Sequence, residues 1–98
     1  MKMIESKEEF EEFITSETPV IVQFSADWCG PCKMLSPILE SVEDYEVVKV
    51  DVEKFPEIAT EYGVSSVPTV VIIKESVPYE TVVGVRPAAH FIDLCKSI

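Results

Sequence analysis

No run of apolar residues in this 98-residue chain is longer than the four from Val70 to Ile73, and a helix crossing a membrane needs about 20. A transmembrane helix is excluded, and a soluble chain is expected. Positive charge is scarce as well. Eight lysines and arginines face eighteen aspartates and glutamates, a formal net charge of −10, and so negative a surface repels nucleic-acid phosphates and anionic membranes. Neither nucleic acid nor membrane is expected as a partner. The opening residues Met1 to Glu9 have neither the apolar core of a signal peptide nor an arginine-rich transit pattern, so a cytoplasmic location is expected. Cysteine is confined to positions 29, 32 and 95. Three thiols cannot all pair within one chain, and their use is expected to be chemical rather than structural. Linkers, repeats and low-complexity segments are absent, which at 11.0 kDa leaves one domain over residues 1–98.

What is present is an ordinary globular composition, 47% hydrophobic and 27% charged, enough for one core without disulfide staples or a structural metal. Ser6 and Glu9 have capping-box spacing, and Phe10, Phe13 and Ile14 recur on one helical face, so a helix is expected over roughly residues 6–15. Val20 to Ser25 is short, β-branched and nearly all apolar, as in a central strand covered on both faces. From about Cys29 the period changes to helical, with Leu35, Ile38, Leu39 and Val42 on one face and Pro37 inside, where it should kink the helix. Val47 to Val52 reads as the next strand, and a short helix follows from Pro56 to a stop at Gly63. Thr69 to Lys74 and Tyr79 to Val85 read as two further strands, joined by Glu75–Pro78 without an Asn-Gly turn signal. Pro87 opens a last helix whose buried face is Phe91, Leu94, Cys95 and Ile98. Met1 to Ile4 has room for an edge strand. The pattern implies an α/β fold: a mixed sheet between helices, with parallel crossovers first and an antiparallel hairpin and helix at the C-terminus.

The chemically informative stretch is Phe24-Ser25-Ala26-Asp27-Trp28-Cys29-Gly30-Pro31-Cys32-Lys33, between a buried strand and a helix. A sulfur at a helix N-terminus faces unpaired backbone N–H groups and the positive end of the helix dipole, which favours the thiolate at Cys29. Residues i and i+3 share a helical face, so Cys32 can reach Cys29 and close a small ring on oxidation. Gly30 permits the close approach. Pro31 stiffens the turn and removes an N–H that had no intrahelical partner.

This chain resembles the thioredoxin family over nearly its whole length. Besides Trp28-Cys29-Gly30-Pro31-Cys32-Lys33, Val67-Pro68-Thr69 stands where that fold has its cis-proline, and Val83-Gly84 stands where it has a substrate-contacting Val-Gly. The resemblance implies a protein-disulfide reductase in which Cys29 attacks and Cys32 resolves. It also implies that Trp28, Gly30, Pro31, Val67, Pro68 and Gly84 bind the substrate, with Val52 and Ser66 on the rim. The implied partners are disulfide-containing proteins and a separate reductase as electron donor. The family's chemistry requires no cofactor and no metal, and a monomer is expected.

One departure bears on proton transfer. Six residues before the first cysteine many thioredoxins carry a buried Asp credited with taking the proton from the second; here the residue is Gln23. An amide hydrogen-bonds but is no base near neutral pH, so Cys32 must lose its proton to water or another group. Lys49 matches the family's buried Lys without its carboxylate neighbour. The alternative reading is a redox-inert or zinc-binding interaction module of the same fold, with His90 and Cys95 joining Cys29 and Cys32 as zinc ligands. Cys95 alone is expected to be a buried, inert thiol.

Overall fold

The first helix starts where Ser6, in extended backbone, accepts the Glu9 amide N–H on its Oγ at 3.1 Å. In the computed structural model, which describes residues 1–98, this helix is α1 (Lys7–Ile14). The Glu9 carboxylate accepts the Glu5 N–H at 2.8 Å, and that bond, with Lys2 alongside, holds the acid below its ordinary range. Phe10 and Ile14 turn inward.

The remaining elements follow in the anticipated order: β1 (Lys2–Met3), β2 (Val20–Ser25), α2 (Gly30–Glu40), β3 (Glu46–Asp51), α3 (Pro56–Glu61), β4 (Thr69–Lys74), β5 (Val77–Val83) and α4 (Ala88–Lys96). They form a five-stranded sheet of order β1-β3-β2-β4-β5, with β2 parallel to β3 and antiparallel to β4. Every residue of β2 is buried, because helices cover both faces of the sheet. Val20, Val22 and Phe24 pack with Phe10, Ile14 and Ile58 on one face, while Ile21 packs with Leu35, Leu39, Ile72 and Phe91 on the other. Each such buried side chain contributes about 1.5–3 kcal/mol relative to exposure, before the entropy of ordering it is subtracted. This central strand therefore makes a rigid platform, and its last residue leads directly into the cysteine segment.

Four boundaries differ from the sequence expectation. α2 ends at Glu40 with Ser41 as its C-cap, so Val42, expected on the helical face, lies beyond it and is buried from the loop. β3 begins and ends one residue earlier, although the Val52 N–H still reaches the Ser25 carbonyl at 2.9 Å. β5 runs from Val77 to Val83 rather than Tyr79 to Val85, since the connection from β4 is a tight two-residue turn at Glu75 and Ser76. Both residues take positive φ, 51° and 64°, a conformation the sequence does not signal without Gly or Asn. The tertiary structure supplies the reason: their N–H groups donate to the Ser16 and Ile14 carbonyls at 2.9 and 2.7 Å, anchoring the turn to the end of α1. Pro78 is tolerated because β5 is an edge strand with a register irregularity at Ile72/Ile73. Finally, Pro87 is the extended cap before α4 rather than its first helical residue.

Candidate active site

Cys29 is the last extended residue before α2, and its Sγ accepts the backbone N–H of Cys32 at 3.2 Å. Pro31 has no N–H to offer, so the Cys32 amide is the donor that caps the sulfur. The two cysteines are joined as a disulfide, with their Cα atoms 5.3 Å apart. Both are almost wholly buried, Cys29 at 3% and Cys32 at 1% exposure, against Ala26, Val52 and Val67. Gly30 and Pro31 are exposed in the first turn.

Gln23 lies behind the pair, fully buried on β2. Its Nε2 donates to the Cys32 carbonyl at 3.3 Å, and its Oε1 lies 3.2 Å from the Ser36 hydroxyl, which also lies 3.0 Å from that carbonyl. The amide therefore sits in a buried, fully partnered network with no ionisable member. Lys49 pairs opposite Gln23 in the sheet and is half-buried. It lines a cleft of about 150 Å³ with Cys32, Asp27, Asp51 and Ser25. No carboxylate pairs with it, the one ion pair of the molecule being Lys2 with Glu9.

The other flank of the cysteines is apolar. Trp28 is 69% exposed, and its indole N–H donates to Glu53 Oε1 at 3.0 Å. With Val52, Val64, Ser65, Ser66 and Val67 it lines a shallow hollow. The Val67–Pro68 peptide is cis, and the Pro68 carbonyl accepts the Gly84 N–H at 3.0 Å. Gly84 itself has φ +99°, open only to a residue without a Cβ.

The residues implied for the disulfide chemistry thus lie in two groups on either side of the disulfide, while His90 and Cys95 lie on α4. Trp28, Val67, Pro68 and Gly84 stand on one flank, with Trp28 exposed, Val67 and Gly84 half-buried and Pro68 buried, and Gln23 and Lys49 stand behind Cys32. Sequence reasoning missed Ser36, Glu53, Val64 and Ser65. For Ser36 a signal existed, since it lies one helical turn after Cys32 on the buried side; for Glu53 there was none, because its contact with Trp28 spans 25 positions.

The zinc alternative is not assembled. Cys95 packs among Phe91, Val70 and Leu39 on α4, away from the cluster that holds the cysteine pair, and no three metal-ligating side chains converge anywhere. Burial pushes the Cys95 thiol up to about 11, which keeps it protonated and unreactive.

The family model described as thioredoxin matches residues 2–97. The chain belongs to the thioredoxin family. It is 38% identical to a thioredoxin of Mycoplasmoides gallisepticum over 98% of this chain and 100% of that one. It is 46% identical to a thioredoxin-like protein of Synechocystis sp. over 79% of this chain and 78% of the other. Among solved structures, a mutant thioredoxin from Halobacterium salinarum superposes with a TM-score of 0.90 at 34% identity, covering 98% of this chain and 88% of that one. The protein is accordingly a thiol-disulfide oxidoreductase of thioredoxin fold, and Cys29 with Cys32 forms its reversible dithiol/disulfide. Disulfide-bearing substrates and a reductase come with the thioredoxin family in general. No helix is long and apolar enough to cross a membrane.

Proposed function

We propose that Cys29 is the attacking thiolate and Cys32 the resolving thiol, and that substrate docks on the Trp28, Val67, Pro68 and Gly84 flank, where Gly30 and Pro31 close the approach. The observation that carries the assignment is the Cys32 N–H held on Cys29 Sγ at the N-terminus of α2. It favours the thiolate at Cys29 and gives Cys32 no comparable donor. The Cys29 thiolate attacks a substrate disulfide, forming a mixed disulfide and releasing one substrate thiolate, which takes a proton from water. Backbone beside Pro68 holds the substrate segment like an added strand. Cys32 then loses its proton and attacks Cys29 Sγ, closing the ring and expelling the second substrate thiol. Two electrons pass to the substrate, and the oxidised protein is recharged by a reductase partner. No step calls for a metal or an organic cofactor.

We assign Gln23 and Lys49 to the proton-transfer step on their positions, Gln23 as a non-ionising anchor of the Cys32 carbonyl and Lys49 in the cleft that Cys32 borders. The proton of Cys32 leaves to cleft water. The Gly30-Pro31 dipeptide supports a reducing role, and a buried thiol at Cys95 suits a reducing compartment such as the cytoplasm. A net charge of −10 opposes self-association, which supports a monomer.

The test is insulin reduction with dithiothreitol as the electron source. Wild type accelerates precipitation, Cys29→Ser abolishes the acceleration, and Cys32→Ser accumulates substrate as a mixed disulfide on Cys29. An active Cys29→Ser protein would overturn the assignment.

A further inference from the structure

Arg86 is the one arginine of the chain, and its surroundings give no local reason for a cation there. It lies immediately before Pro87, the cap of α4, where the helix dipole is positive, and the first turn of α4 carries no acidic residue to offset it. No carboxylate pairs with it. Of the five guanidinium N–H groups, one on Nη1 reaches the neighbouring Val85 carbonyl at 3.1 Å, and the others have no protein partner.

The guanidinium is instead folded over Gly84. A Cβ built on that glycine would come within 3.3 Å of Arg86 Nη1, so the guanidinium lies in close contact with the chain at Gly84. Gly84 is hydrogen-bonded to the Pro68 carbonyl, the edge beside which the substrate segment is held. Arg86 is exposed there, free to turn toward a bound chain.

The surrounding charge makes the position effective. Asp27, Lys33, Lys49 and Asp51 line the cleft with Cys32 and Glu53 holds Trp28, so that with Arg86 three acidic side chains meet three basic ones. The whole excess of −10 lies on the rest of the chain. The net negative charge lies away from the docking end, and at that end Arg86 presents an unpaired fork suited to a carboxylate.

We propose that Arg86 is a specificity-determining residue that selects substrate disulfides flanked closely in sequence by an aspartate or glutamate. This rests on the docking flank and cysteine roles assigned above. The test uses two cystine peptides that are identical except for Asp or Asn beside the attacked cysteine, and measures kcat/KM for each. The acidic-to-neutral ratio in wild type exceeds that in Arg86→Gln by about three- to ten-fold. Because each ratio is taken on one protein sample, differences in folded fraction cancel. Arg86→Lys retains part of the preference, and added salt shrinks it. Equal ratios in wild type and Arg86→Gln overturn the proposal alone. Reduction of neither peptide by wild type overturns both the proposal and the cysteine assignment beneath it.

Discussion

Ser36 and Gln23 meet inside the protein, hydroxyl to amide oxygen at 3.2 Å, and both lean on the same Cys32 carbonyl. Each is buried, so each polar atom depends on the others for its partner. Cys32 is therefore backed by a neutral, satisfied network in which no group takes up a proton near neutral pH.

Replacing Ser36 by Ala removes the single hydroxyl proton that the Gln23 Oε1 and the Cys32 carbonyl share. The expected loss is about 1–2 kcal/mol of folding stability. Urea denaturation of the two proteins, compared at their midpoints, measures it. An unchanged midpoint would mean that the network contributes nothing.

Replacing Gln23 by Asp puts a base beside Cys32 that the native chain lacks. Resolution of a preformed mixed disulfide is expected to speed up by about a hundred-fold, the lower end of general-base contributions. Single-turnover release of the substrate thiol reads this step directly, and no gain in the mutant would reject the base deficit.

Glu53 holds the exposed indole of Trp28 through one hydrogen bond at 3.0 Å. Glu53→Ala is expected to leave stability within about 0.5–1 kcal/mol, because the pair is exposed. It frees the ring from the hollow, so tryptophan emission shifts and KM for protein disulfides rises about two- to five-fold. Unaltered emission and KM together would show that the bond does not position Trp28.

Gly63 ends α3 with φ +67°, and the Val64 N–H beyond it closes onto the Ala59 carbonyl at 2.9 Å. A Cβ there meets open space, so the cost of Gly63→Ala is conformational alone. Thermal or chemical denaturation is expected to register a loss of about 1 kcal/mol. A stabilised variant would contradict the left-handed cap.

Alkaline stability depends on Cys95. Burial raises its thiol from 9.0 to about 11, so above the lower value the unfolded chain releases a proton that the folded protein keeps. The stability contributed by the buried thiol is complete below pH 9 and is lost as pH rises toward 11. Tyr62 adds to the same trend, its phenol raised by burial first and then by Glu61 and Glu11. Cys95→Ala should flatten the decline in melting temperature over this window. An identical decline in both proteins would remove Cys95 as its source.

Much of the fold was readable because its signals are local. β2 and β4 matched their expected bounds residue for residue, since a β-branched apolar run buried on both faces leaves little choice of period or end. Ser6 announced α1, and the Cys29-Gly30-Pro31-Cys32 spacing announced the start of α2. The hairpin resisted, because Glu75 and Ser76 hold left-handed conformations only through N–H bonds to Ser16 and Ile14, some 60 positions earlier in the chain. At the site, the residues carrying a motif were legible and those that serve through contact were not. Glu53 and Val64 look like ordinary solvated and half-buried positions until β3, α3 and β4 are brought together.

Unaided, the order of residues determined which atoms react, since a pair of thiols one helical turn apart at a cap depends only on neighbours along the chain. Folding in three dimensions decided what surrounds them: an amide and a hydroxyl behind Cys32, a carboxylate under the indole, a lone guanidinium across Gly84. Those arrangements join segments distant in sequence, and short-range preferences carry no information about which distant groups packing will bring within hydrogen-bond reach.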